Sequence, residues 1–379
     1  MNYSVRKEVN DVQAYVPGKS IEEVKEKYGI ESVIKLNSNE NPYGPYKAAL
    51  NVMIQEVRRM NIYPEKNFIK LKNILGDKYG LTEDNIGIGH GAGGIIETVA
   101  KTFLEEGDEV IVPTESYRLY REVSKIMGAK VIEVPLDDSY TIDLDKINKA
   151  ITDKTKLIWI CNPNNPTATM VDKKKLESLI YSLPEKTWIV LDEAYYEFAD
   201  EDKRIDGIKY IKEGKNLMCI RTFSKYYGLA GGRIGYLIAD SEIIQYYDRV
   251  SEPFNANRTG LAGAVATIEL CQNDYIKYGE IIIKDREILN SELKKLGCET
   301  HKSYANFIFF STEYEADDIA EQLLNKGIIV RSCSEWGYSK SIRVTIGTKE
   351  ENNKFFKSLK EILKNKEEEK IMKSETMGS

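Results

Sequence analysis

The chain has 379 residues, 42% apolar and 30% charged, enough for two domains or for one large domain with a smaller companion. A net charge of −6 argues against a nucleic-acid or anionic-membrane partner, and no apolar run approaches membrane-spanning length. Five scattered cysteines (Cys161, Cys219, Cys271, Cys298, Cys333) without metal-type spacing read as reduced thiols. With no apolar signal stretch at the start, they suggest a cytoplasmic protein. The two histidines, His90 and His301, are too few for a His-rich metal site and make a Ser–His–Asp hydrolase improbable.

In chain order, residues 1–40 read as an arm carrying a short helix at 21–27 and an extended run at 33–36. Helices at 67–78 and 95–104 flank a short apolar run at 86–88. A buried strand at 109–112 is followed by a helix through 126 and a strand at 130–134. Apolar runs follow at 156–160, 188–191, 217–220 and 234–238, with a helix at 173–180. Strands alternating with helices predict a mainly parallel sheet covered on both faces. After Pro253 the pattern changes to one long helical region at about 260–296, strands at 306–310, 327–330 and 341–344, a helix at 316–325 and a last helix from about 349. This is an α+β module. We expect an arm over 1–40, a large domain over 41–270 and a small domain over 271–379, with the charge run at 366–370 a solvated helix end.

The segment Arg221-Thr222-Phe223-Ser224-Lys225-Tyr226-Tyr227-Gly228-Leu229-Ala230-Gly231-Gly232-Arg233 joins two apolar runs. Its lysine can condense with an aldehyde while a hydroxyl and a guanidinium hold a phosphate. Two more segments follow strand-like runs: Cys161-Asn162-Pro163-Asn164-Asn165-Pro166-Thr167 and Asp192-Glu193-Ala194-Tyr195. Singly these read as turns or a helix cap. Beyond the carboxyl ends of parallel strands, where ligands bind, they together fit pyridoxal 5'-phosphate (PLP). Lys225 supplies the amine, Asp192 a carboxylate for the pyridine nitrogen, Asn165 and Tyr195 donors to the ring hydroxyl, and Ser224 and Arg233 a phosphate cradle.

Gly89-His90-Gly91-Ala92-Gly93-Gly94 satisfies a dinucleotide fingerprint, with Glu115 at a fitting distance, so a nicotinamide-dependent dehydrogenase is the rival from another enzyme class. That rival leaves Asn165, Asp192, Lys225 and Arg233 without roles. The backbone amides of Gly91, Ala92 and Gly93, opening a helix, serve a PLP phosphate equally well.

With these motifs the chain resembles the fold-type I, PLP-dependent aminotransferases of class I/II, and within them most resembles the histidinol-phosphate group, nearly end to end. The resemblance rests further on Ala14-Tyr15-Val16-Pro17-Gly18-Lys19, Leu36-Asn37-Ser38-Asn39-Glu40-Asn41-Pro42-Tyr43-Gly44, Tyr63-Pro64, the loop from Pro113 to Tyr120, Gly327-Ile328-Ile329-Val330-Arg331 and Ile342-Arg343-Val344-Thr345-Ile346-Gly347-Thr348. It implies a three-layer α/β/α large domain, a smaller α+β domain, and a homodimer with shared active sites. It also implies transfer of an amino group from a small-molecule donor such as histidinol phosphate to 2-oxoglutarate, with Lys225 as general base. Thr222 would join the cofactor residues, Tyr120 would stack on the cofactor ring, and Tyr63 would reach the partner subunit's phosphate. Arg343 would grip the anionic end of the substrate, with Tyr15, Asn39 and Arg331 as further contacts.

Four departures from the family pattern bear on the substrate: Gly93-Gly94 in place of an acidic pair, His90 for an asparagine, Thr167-Ala168 for Thr-Gly, and Tyr226-Tyr227 with Gly231-Gly232 in the lysine loop. They keep open a related PLP enzyme that acts on an aromatic amino acid, or that decarboxylates, eliminates from or oxidises its substrate. A PLP-binding regulatory fusion is the reading outside enzymes; no DNA-binding segment precedes the catalytic motifs.

Overall fold

A computed structural model describes residues 4–14, 18–65 and 67–377. Tyr15, expected at the substrate, lies outside them. The elements run α1 (Ile21–Tyr28), β1 (Ile34–Lys35), α2 (Lys47–Val57), α3 (Ile69–Tyr79), β2 (Ile86–His90), α4 (Gly91–Phe103), β3 (Glu109–Pro113), α5 (Leu119–Ile126), β4 (Lys130–Val134), α6 (Leu144–Ala150), β5 (Thr155–Cys161), α7 (Lys173–Ser182), β6 (Trp188–Asp192), α8 (Gly207–Lys212), β7 (Leu217–Thr222) and β8 (Ile234–Ile238). There follow α9 (Ser241–Val250), α10 (Arg258–Leu270), α11 (Gln272–Lys295), β9 (Glu299–Thr300), β10 (Phe307–Ser311), α12 (Ala316–Asn325), β11 (Ile328–Ile329), β12 (Arg331–Ser332), β13 (Ser341–Thr345) and α13 (Lys349–Met377). None of the described helices is long and apolar enough to cross a membrane.

The main sheet has the order β2-β8-β7-β6-β5-β3-β4. All neighbours are parallel except β8, which is antiparallel to both β2 and β7. Its central strands, β5 to β8, read as largely apolar runs because both faces are covered, whereas the edge strand β4 carries exposed Lys130 and Glu133. Alternate residues sort to opposite cores: Ile158 and Ile160 of β5 join one, Leu157, Trp159 and Cys161 the other. Helix starts are fixed by short acids and amides. Asp143, Asp172 and Asp206 each accept a hydrogen bond from the amide three residues on, as Asn257 does for α10.

A four-stranded antiparallel sheet, β12-β13-β10-β9, lies with α12 and α13 around a third core. In a separate parallel pair, β1 joins β11 with Ile34 opposite Ile328. This pairing carries the end of the arm, Leu36 to Glu40, between the two sheets, where Asn39 bonds Thr345 of β13 and Ser38 accepts from Lys225.

Three sequence expectations change. The helical region at 260–296 is two helices, interrupted at Cys271 (φ −117°, ψ 20°), whose amide bonds Thr267 O and closes α10. No Gly or Pro marks the break. Along α11 the packing passes from the core that holds Tyr275 to the one that holds Ile282, Leu289 and Leu293. The run at 327–330 is no single strand: β11 pairs with β1, and the chain then continues as β12 in the other sheet. The helix expected from 95 begins at Gly91, so the glycines form its first turn.

Candidate active site

β5, β6 and β7 lie side by side, with Asp192, the last residue of β6, in register with Cys161 of β5 and Ile220 of β7. β2 runs the same way, so α4 begins at the same sheet edge. A cavity of about 420 Å³ opens there, and its lining includes Ala92, Asn165, Asp192, Lys225, Arg233 and Arg343.

Lys225 follows β7 on a loop ordered by Thr222, whose Oγ1 accepts from the Ser224 amide at 3.1 Å. The lysine Nζ donates to the Ser38 carbonyl at 2.9 Å and lies 5.9 Å from the Tyr195 ring. Removal from water is the main cause that lowers its pKa to about 7. Arg343 is the next cause, with Arg233 and Lys35 adding and Glu40 opposing. The amine is therefore substantially neutral near pH 7, as a nucleophile or base requires.

Asp192 is 3% exposed. Its Oδ2 accepts from the Tyr120 hydroxyl at 2.6 Å and its Oδ1 from the Ala194 amide at 3.0 Å. Burial pushes its pKa up, while Tyr120, the Ala194 amide and Lys225 oppose the rise. Tyr195 is buried beside it, and its hydroxyl oxygen accepts from Asn39 Nδ2 at 3.0 Å. Asn39 is held in the left-handed region (φ 55°), with its amide bonded to Thr345 Oγ1 at 2.9 Å.

At another end of the cavity, the first turn of α4 brings its amides beside Ser224 and Arg233. Arg233 Nη1 donates to Ser224 Oγ at 3.4 Å. Gly91 has φ 68°, and a Cβ there would stand 2.5 Å from Arg233 Nη2. Gly235 is equally constrained, since its Cβ would meet the Gly91 carbonyl carbon at 2.7 Å. Glycines thus let a guanidinium approach a helix N-terminus, an arrangement suited to an anion.

Opposite stand two arginines. Arg343 is buried, with Nη1 on Asn165 Oδ1 at 2.5 Å and Nη2 on the Asn37 carbonyl at 2.6 Å. Arg331, on the adjacent strand, forms an ion pair with Glu335.

Residues 31–359 match the sequence signature of the family described as aminotransferase class I and II. Over 94% of its length the chain is 38% identical to the histidinol-phosphate aminotransferase of Moorella thermoacetica, covering 92% of that protein. It is 39% identical to the enzyme of that name from Caldicellulosiruptor saccharolyticus, covering 94% of this chain and 99% of that one. The chain belongs to the class I and II aminotransferases. Its fold is similar to the crystal structure of histidinol-phosphate aminotransferase from Sinorhizobium meliloti in complex with pyridoxal-5'-phosphate. The TM-score there is 0.88 at 25% identity, over 96% of this chain and 99% of that one.

In this aminotransferase Gly93, Ala92, Asn39, Asn165, Asp192, Tyr195, Thr222, Ser224, Lys225, Arg233, Arg331 and Arg343 all line one cavity. Gly91 stands directly behind it, against Arg233. Two expected residues lie elsewhere. Tyr120 is fully buried behind Asp192 and stacked on Trp159 at 5.0 Å, so it supports the carboxylate and does not face the cavity. Tyr117, which makes an edge contact with Tyr120 at 5.6 Å, does line the cavity, with Tyr195 and Trp336. The two tyrosines are three residues apart: Tyr117 sits in the loop before α5, on the cavity, and Tyr120 in the first turn of the helix, in the core. Tyr63 is 74% exposed, stacked on Phe254 at 4.5 Å and outside the cavity of its own chain.

The departures from the family pattern mostly turn away from the site. Tyr227 is buried, with its hydroxyl accepting from Lys78 Nζ at 2.7 Å, and Tyr226 packs against Phe198 and Tyr275. His90 is exposed and absent from the cavity lining. Ala168 is buried with φ 60°, a conformation that favours glycine. Glu335 and Trp336 line the cavity from the turn between β12 and β13, yet the sequence reading passed over them. An acid and an aromatic placed between two arginine-bearing strands were the available signal.

Proposed function

We propose that this chain is a PLP-dependent aminotransferase that moves an amino group from histidinol phosphate to 2-oxoglutarate, as a cytoplasmic homodimer with shared sites. The observation that carries the reading is that Lys225, with a pKa lowered to about 7, and the buried carboxylate of Asp192 serve one cavity. The protein fits PLP on two further counts. Gly91 leaves room for Arg233 at the α4 N-terminus, a place for a phosphate, and Asp192 is braced from behind by Tyr120.

PLP, when bound, supplies an aldehyde and a pyridine ring that takes up the electron pair left at the donor carbon. Lys225 Nζ is the amine that would hold the aldehyde carbon. When free, the same amine would be the base that carries the donor's α-proton. Asp192 would keep a proton on the ring nitrogen, and Asn165 and Tyr195 would address the ring hydroxyl. Ser224, Arg233, Thr222 and the amides of Ala92 and Gly93 would hold the phosphate. Arg343 supplies a planar guanidinium for the substrate's anionic group, with Arg331 and Asn39 beside it.

Support for the donor comes from the relatives' names and from two guanidiniums at one end of the cavity. The dimer is supported by an exposed apolar stripe, Leu50, Ile54 and Val57 along one face of α2, continued by Met60 and Ile62 up to Tyr63. Five free cysteines, all buried, suit a reducing compartment.

The test is a panel of amino donors given to the holoenzyme, read by the spectral change from the aldehyde to the amine form of PLP. Histidinol phosphate should give the highest kcat/KM, with 2-oxoglutarate reversing the change. A better donor in the panel overturns the substrate. The absence of any donor-driven change overturns the reaction class.

A further inference from the structure

Two guanidiniums face the cavity from paired strands, with Arg331 of β12 in register opposite Arg343 of β13. The ring of Trp336 lies 5.7 Å from one and 5.9 Å from the other. Among the described residues, their hydrogen-bond partners differ in charge. Arg343 is held by the neutral oxygens of Asn165 and Asn37. Arg331 turns Nε and Nη2 to a single carboxylate oxygen, Oε1 of Glu335, at 3.0 Å from Nε. Glu335 lines the same cavity, and no step of the proposed reaction uses it.

We propose that Glu335 is a specificity-determining residue: it occupies Arg331 as an internal carboxylate, and the distal carboxylate of a dicarboxylic 2-oxo acid binds by exchange with it. The proposal rests on the transamination reading, in which one cavity must accept an amino donor and a dicarboxylic acceptor in turn. A carboxylate approaching Arg331 meets like charge while Glu335 is in place, so the two compete for one edge of the guanidinium. The exchange needs little rearrangement. Glu335 keeps 29% of its side-chain surface exposed and stands on a turn at the cavity mouth, so it has water to move into. The turn itself stays fixed, because Trp336 Nε1 donates to the Ser116 carbonyl at 2.9 Å, across the cleft between the two sheets. A 2-oxo acid with one carboxylate uses Arg343 and leaves the Arg331–Glu335 pair intact.

The test compares wild-type and Glu335→Gln holoenzymes, with 2-oxoglutarate or pyruvate as acceptor and with calorimetric titration of glutarate, an unreactive dicarboxylate. Glutamine keeps the size and a hydrogen bond but not the charge. The variant should lower the KM for 2-oxoglutarate and the Kd for glutarate about two- to fivefold, the weight of a partly exposed ion pair. The KM for pyruvate should stay in place, and the effect should fall on KM more than on kcat. Parallel changes for both acceptors, or weaker glutarate binding, would overturn the proposal. A wild-type enzyme that aminates neither acceptor would overturn the transamination reading instead.

Discussion

The Tyr120 hydroxyl donates to Asp192 Oδ2 at 2.6 Å, and both groups are shut away from water. Burial favours the neutral acid, and this bond is the first of the effects that oppose it. Tyr120→Phe therefore raises the Asp192 pKa further, and the acid persists to higher pH. PLP affinity of the apo protein should fall roughly tenfold at neutral pH, the weight of one hydrogen bond to a charged group. The acid limb of its pH profile should also move upward. Titration of the apo protein with PLP across pH measures both, and an unshifted profile would contradict the role given to the pair.

Lys225 titrates at about 7 in the fold, against 10.5 as the ordinary value. Between these pH values the unfolded chain holds a proton that the folded chain lacks. The contribution of this group to apo-protein stability therefore rises with pH through that window. Below it, a charged lysine beside Arg343 weighs against the fold. Lys225→Met should make the apo protein more stable than wild type below pH 7, with the gain shrinking as pH approaches 10.5. Thermal denaturation of both proteins over this range gives the comparison, and a constant difference would contradict the lowered pKa.

Gly91→Ala places a methyl group 2.5 Å from Arg233 Nη2 at a backbone with φ 68°. The strain of a left-handed alanine is about 1–2 kcal/mol, and the guanidinium must also shift. We expect a lower melting temperature and weaker PLP binding, with affinity for inorganic phosphate in the apo protein reduced in parallel. Unchanged phosphate binding would remove this corner from the cofactor site.

Tyr63 is exposed in its own chain, while the resemblance assigns it to the partner's phosphate. Tyr63→Ala and Lys225→Ala subunits, refolded together, should form mixed dimers in which one site is wholly wild type. Activity above the sum of the two variants alone is the expected result. Strict additivity would argue for self-contained sites.

The architecture was legible because central parallel strands leave plain apolar runs, and because chemistry gathers at their ends. Asp192 closes β6 and Lys225 follows β7, as the strand pattern implied. Facts of phase and distant packing were not legible. Tyr117 precedes α5 and Tyr120 lies in its first turn, so which of the two meets the cavity depends on how the loop after β3 enters the helix, and nothing local marks the interruption at Cys271. Tyr226 and Tyr227 looked like substrate neighbours because they adjoin Lys225, but the backbone turns them into aromatic clusters with Tyr275. Glu335 gains meaning only once β12 and β13 pair and bring the two arginines together.

The central claim is that Lys225 carries the cofactor. Reduction of the PLP-loaded protein with borohydride, followed by digestion and mass mapping, tests it most directly. The account predicts a phosphopyridoxyl group on Nζ of Lys225 and no labelled peptide from Lys225→Ala. A label on another lysine, or none in the wild-type protein, would contradict it.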